Sequence, residues 1–107
     1  MTAASVASPR IRDGRLSISP EARERIELAG LESHVRRLTG WAEELFDLVG
    51  LIHVDFNPED PDGIVVMRAE AGGGPSAVAE ADWQMSLRSA DSPAISPFEI
   101  VFLAYAR

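Results

Sequence analysis

SPEARERIELAGLESHVRRLTGWAEELFDLVG, residues 19–50, decides the fold class. Ser19 can cap a helix, Pro20 suits its first position, and Glu21 favours the positive end of its dipole. Apolar residues then recur at Leu28, Leu31, Val35, Leu38, Ala42, Leu45 and Val49, in alternating steps of three and four. That spacing draws one apolar stripe along a helix, with Glu32, Arg36, Arg37, Glu43, Glu44 and Asp47 off it. Unbroken from Pro20 to Val49, the helix would be about 45 Å long. A domain of this size has a radius of gyration of only about 13 Å. A bend is therefore expected at Gly30 or Gly40, because glycine costs a helix interior about 1 kcal/mol relative to alanine. The alternative is a projecting helix that pairs with a second chain through Leu31, Val35, Leu38, Leu45 and Val49.

Downstream of Gly50 the period falls to two. Ile52, Val54 and Phe56 alternate with Leu51, His53 and Asp55, which predicts a strand. Asn57 to Gly63 is a turn rich in Pro and Asp, Ile64 to Glu70 a second strand, and Gly72 to Pro75 a flexible connection. Ala79, Ala81, Trp83, Met85 and Leu87 alternate with Glu80, Asp82, Gln84, Ser86 and Arg88, which reads as a third strand. Short connections make an antiparallel meander the default. The last segment, 97–106, has strand composition. Ser96, Pro97 and Glu99 nevertheless form a capping box, with Ile95 and Ile100 placed as a hydrophobic staple, so a closing helix is expected, with a fourth strand as the alternative.

Upstream, Asp13-Gly14 between Ile11 and Ile18 suggests a tight hairpin. Residues 1–9 are small and polar without periodicity and are expected to form a disordered tail. The reading is thus a single α+β domain over 10–107, a long N-terminal helix on a three-stranded antiparallel sheet.

The 107 residues include no cysteine, which excludes disulfides, thiolate metal sites and thiol catalysis. No secretory signal is visible in Met1 to Ser8, and the most apolar run, Phe98 to Ala106, is too short to span a bilayer, so a cytoplasmic protein is expected. Every basic residue is arginine and alanine is abundant, a bias pointing to a high-GC bacterium or its phage. The net charge of −7 is uneven: residues 1–40 sum to +2 and residues 41–107 to −9. Such a field repels nucleic acid and anionic lipid and attracts basic protein surfaces.

No catalytic constellation emerges. There is no G-x-S-x-G elbow and no lysine, and the glycine run before Ser76 lacks the context of a phosphate cradle. Asp55, Asn57 and Glu59 fall at calcium-loop spacing, but Asp60 occupies the glycine position and Val66 that of the bidentate Glu. His34 and His53 are too few for a multi-histidine metal site. No cofactor and no metal are expected. His53 and Asp55 share one strand face and Glu80 and Asp82 another, so coincident faces would create an acid–base site. The N-terminal arginines are offset by Glu21, Glu24, Glu27 and Glu32 and lack interleaved aromatics, so direct nucleic-acid binding is not expected. Trp41, Phe46 and Trp83 read as core.

The leading expectation is a non-enzymatic inhibitor, immunity-type or anti-defence domain. Its acidic surface of Glu43, Glu44, Asp47, Asp55, Glu59, Asp60, Asp62, Glu80 and Asp82 would meet a basic partner. Two others compete with it: a structural or chaperone-like homodimer on the 31–49 stripe, and a ligand-binding domain or enzyme at His53/Asp55.

Overall fold

The structure, a computed structural model, describes residues 9–60, 63–92 and 99–107. The elements are β1 (Ile11–Asp13), β2 (Leu16–Ile18), α1 (Pro20–Ala29), α2 (Glu32–Leu45), β3 (Leu48–Asp55), β4 (Val65–Ala71), α3 (Gly74–Ala90) and β5 (Ile100–Ala106). The strands form one sheet in the order β1-β2-β3-β4-β5. β1/β2 and β3/β4 are antiparallel, whereas β2/β3 and β4/β5 are parallel. The molecule is α+β, but among the described residues a five-stranded mixed sheet with three helices replaces the expected three-stranded antiparallel sheet and long N-terminal helix.

Each departure has a local cause. The 20–49 segment begins as expected, with the Ala22 N–H donating to Ser19 Oγ at 3.1 Å. It breaks at Gly30, whose φ of 67° is left-handed and whose N–H closes on Glu27 and Ile26 carbonyls. Gly40 stays inside α2, which stops at Leu45 because Phe46 turns extended. Val49, the last member of the stripe, is a strand residue opposite Glu70.

Residues 79–88, expected as a strand, lie in α3. Val78, Ala81 and Met85 are its buried residues, a helical spacing hidden under the alternation, and the segment is rich in good helix formers. Trp83, expected in the core, is 59% exposed.

The expected closing helix is instead the strand β5, paired from Val65–Ile100 to Ala71–Ala106. Ile-Val-Phe favours a pleated surface, and the edge of β4 gives the segment a full ladder, which outweighs a helix-start signal. Ser96 and Pro97, like most of the expected tail, lie outside the described residues. The expected hairpin does form: Gly14 and Arg15 turn between β1 and β2, with Asp13 opposite Leu16 and Ile11 opposite Ile18.

All three helices cover one face of the sheet. Ile52, Val54, Val65 and Met67 beneath them are fully buried, and Ile26, Leu31, Val35 and Leu38 above are buried as well. The ring centroids of Phe46 and Phe102 lie 5.7 Å apart at the rim of this core. The crossovers β2–α1–α2–β3 and β4–α3–β5 both step the same way across the sheet, while their strands run in opposite directions. With helices on one face only, one crossover must be right-handed and the other left-handed, against a strong general preference for the right hand.

Candidate functional site

The described helices lie on one side of the sheet, and among the described residues none covers the other side, the open face. Its surface is assembled from alternate residues: Leu51, His53 and Asp55 of β3, Val66, Arg68 and Glu70 of β4, and Val101, Leu103 and Tyr105 of β5. The register sets His53 opposite Arg68, Arg68 opposite Leu103, and Glu70 opposite Tyr105. A shallow depression of about 600 Å³ runs across His53, Arg68, Glu70 and Tyr105. Leu103 and Tyr105 are 42% and 47% exposed.

A bulge in β3 borders the depression, whose lining includes Val49, Gly50 and Leu51. Between Val49 and His53 the register with β4 slips, and Gly50 sits there with φ of 75°. A left-handed residue of this kind marks a bulge that bends its strand and adds local twist. The Gly50 carbonyl accepts from Arg15 Nη1 at 2.8 Å, which ties the bulge to the β1/β2 turn.

At the far end of this face Asp55 is held by two arginines. Arg10 Nη1 donates to Oδ1 at 2.7 Å and Arg68 Nη2 to Oδ2 at 3.4 Å. Partial burial pushes the carboxyl pKa up, but the two guanidiniums together outweigh it and leave Asp55 below its usual value. Arg10 also donates to Ser17 Oγ at 2.8 Å, to the Ser17 carbonyl at 2.6 Å and to the Val54 carbonyl at 3.2 Å, so one side chain straps β2 to β3.

The expected acid–base constellation is not assembled. His53 and Asp55 do share the open face, but both oxygens of Asp55 are engaged by arginine. Glu80 and Asp82 ride on α3, across the sheet, since their segment is helical.

The acidic residues are likewise dispersed. Glu43 and Glu44 lie on α2, paired with Arg15 at 3.4 Å and with Arg88. The Arg88 hydrogen bond lowers the Glu44 carboxyl, and the same contact raises Arg88. Asp47 joins α2 to β3, where its carbonyl accepts the Gly72 N–H at 2.8 Å. Glu59 and Asp60 occupy the β3–β4 turn, Glu80 accepts from Gln84 at 3.2 Å, and Asp62 lies outside the described residues. A rigid sheet displaying all these carboxylates together is not what forms.

The 31–49 stripe is taken up within the chain. Leu31, Val35 and Leu38 are buried, Leu45 packs partly against the core, and Val49 belongs to β3. Among the described residues no three His, Asp or Glu side chains converge as metal ligands, and no helix is long and apolar enough to cross a membrane.

Sequence reasoning overlooked Arg68, Glu70, Leu103 and Tyr105. Arg68 and Glu70 were legible as the polar half of the 64–70 alternation. Leu103 and Tyr105 were not, because a helix over 97–106 scatters them.

No family model matches the chain, and no curated protein or solved structure is significantly similar to it.

Proposed function

We propose that this chain is a non-enzymatic protein-binding domain that engages its partner through the open face of the sheet. The supporting observation is that this face gathers exposed Tyr105 with Arg68, Glu70 and His53 around one shallow depression, with exposed Leu103 beside Arg68 in the register. Tyrosine and arginine among apolar groups suit a protein interface, where aromatic contact supplies burial and the polar groups set orientation. The net charge of −7 favours a basic partner and speeds encounter with it. An inhibitor or immunity-type role, in which the domain occludes a basic surface, fits that charge. Against catalysis at His53, its neighbour Asp55 is committed to two guanidiniums and does not orient the imidazole.

The test is capture of a partner on the tagged chain, followed by titration of the purified partner against variants. Glu70→Arg on the open face should weaken binding by about tenfold or more, and added salt should weaken it further. Trp83→Ser on α3 should leave it unchanged. Loss with Trp83→Ser and indifference to Glu70→Arg would move the interface to the helical layer and end this reading.

A further inference from the structure

We propose that β5 is a homodimer interface: two copies of the chain join antiparallel, edge to edge, into one continuous sheet twice as wide. This goes beyond the partner reading above and does not depend on it: edge pairing sets the two open faces side by side and leaves His53, Arg68 and Glu70 uncovered.

The first observation is the edge itself. β5 ends the sheet, and among the described residues no strand pairs with its outer side. The Glu99 carbonyl accepts from Val65 and the Arg107 N–H donates to Ala71, so odd-numbered residues aim their backbone groups at β4. Successive residues of a strand alternate in this respect, so Ile100, Phe102, Ala104 and Ala106 turn both N–H and C=O outward. Seven residues, Ile100 to Ala106, contain no charge, no proline and no glycine. Exposed edges normally carry such features as protection against pairing.

The second observation identifies the occupant as a second copy. Placing a two-fold axis at Leu103 sets Phe102 opposite Ala104 of the second copy, and Ile100 opposite its Ala106. All four are outward-pointing, which is what hydrogen-bonded pairs of an antiparallel ladder require. Large side chains thereby face small ones on the helix side. On the open face Leu103 meets Leu103 of the second copy and Val101 meets its Tyr105, at the closely spaced positions of the ladder. Beyond the apolar run, Glu99 falls opposite Arg107 of the second copy, and Arg107 opposite its Glu99. One register pairs the entire strand, satisfies the outward backbone groups and closes both ends with opposite charges. A slip of two residues keeps the hydrogen-bond parity but leaves an overhang and sets Arg107 against Val101, or Glu99 against Tyr105.

The experiment is light scattering and sedimentation of the full chain over a concentration series, with circular dichroism as the check on folding. The wild type should be dimeric. Leu103→Lys puts like charges opposite each other at the axis and should weaken the dimer by about tenfold or more, while the exposed position keeps the monomer folded. Ala104→Pro removes an outward donor without touching the β4 ladder and should dissociate the dimer as well. Glu99→Arg alone should weaken it, and Glu99→Arg combined with Arg107→Glu should restore it. A wild type that stays monomeric up to about millimolar concentration, where even weak association registers, overturns the proposal. So does a dimer that survives both Leu103→Lys and Ala104→Pro, one dissociated by Trp83→Ser, or a charge swap that fails to rescue.

Discussion

The two edges of the sheet are built in opposite ways. β1 spans three residues, Ile11–Asp13, two of them charged and exposed, and is fastened from outside by the Arg10 side chain. β5 spans seven residues without a charge and is fastened from beneath, by Ile100 and Phe102 in the core. A short charged edge resists pairing with other chains, and a long apolar one invites it. Each edge thus draws its stability from a different source: β1 from a polar clamp near solvent, β5 from apolar burial.

The largest effect should come from cutting β5 away from the core. Phe102 is 8% exposed and packs against Phe46 with the two rings tilted by 38°. Phe102→Ala should destabilise the domain by about 3–5 kcal/mol, seen as a lower urea midpoint. A loss below about 1 kcal/mol would mean that β5 is held by its backbone ladder alone, and the contrast between edges would collapse.

Next in size is the clamp on the other edge. Arg10→Ala removes hydrogen bonds from a charged donor to Ser17, Val54 and Asp55. The guanidinium is 38% exposed, so solvent screening discounts the ion pair, and a loss of about 1–2 kcal/mol is expected. Hydrogen exchange should show β1 and β2 opening while β4 stays protected. Uniform loss of protection would show that the strap holds the whole sheet.

The same contrast explains how much of the molecule could be read from the chain. Within residues 11–55 the hairpin, the helix start at Ser19-Pro20 and a break at Gly30 or Gly40 were legible from local signals, whereas the end of α2 at Leu45 and the passage of Leu48 and Val49 into β3 were not. The consequence of these signals in space was not legible either, because β2 and β3 run parallel and nothing local encodes that. From Gly72 onward the patterns were ambiguous. The 79–88 alternation also contains the helical set Val78, Ala81 and Met85, and the exposed Trp83 strengthened the false period. The capping box at 96–99 competed with a strand whose partner, β4, lies thirty-odd residues upstream. The opposite-handed crossovers defeat the usual topological rule as well. The open face therefore surfaced only in part: His53 and Asp55 were visible, while Leu103 and Tyr105 waited on the correct reading of β5.

Acid should act on one edge and spare the other, because the polar clamp is titratable and the apolar edge is not. Asp55 is held below its usual value of 3.8 by Arg10 and Arg68, against the opposing pull of partial burial. A depressed folded-state pKa means that the contribution is complete above the unfolded value and disappears as pH falls through the folded one. Wild type should therefore lose part of its margin over Asp55→Asn between about pH 5 and pH 2. The margin of wild type over Phe102→Ala should stay constant across that range. Urea midpoints for the three proteins at each pH check this, and a pH-independent Asp55→Asn margin would show that the arginines act on Asp55 only weakly.

The smallest effect is the one that separates the two roles of β5. Leu103 adjoins Phe102 in the chain but points to the opposite side and is 42% exposed. In a monomer at high dilution, Leu103→Ala removes apolar surface of which nearly half was hydrated already, so stability should change by no more than about 0.5 kcal/mol. Two neighbouring residues on one strand then differ several-fold in their effect on folding, Phe102 serving the core and Leu103 the surface. If Leu103→Ala is neutral when dilute yet destabilising when concentrated, the added loss belongs to an assembly that forms only with mass action. A loss of about 2 kcal/mol at every concentration would instead place Leu103 among the groups that hold the monomer together, and β5 would have no face to spare.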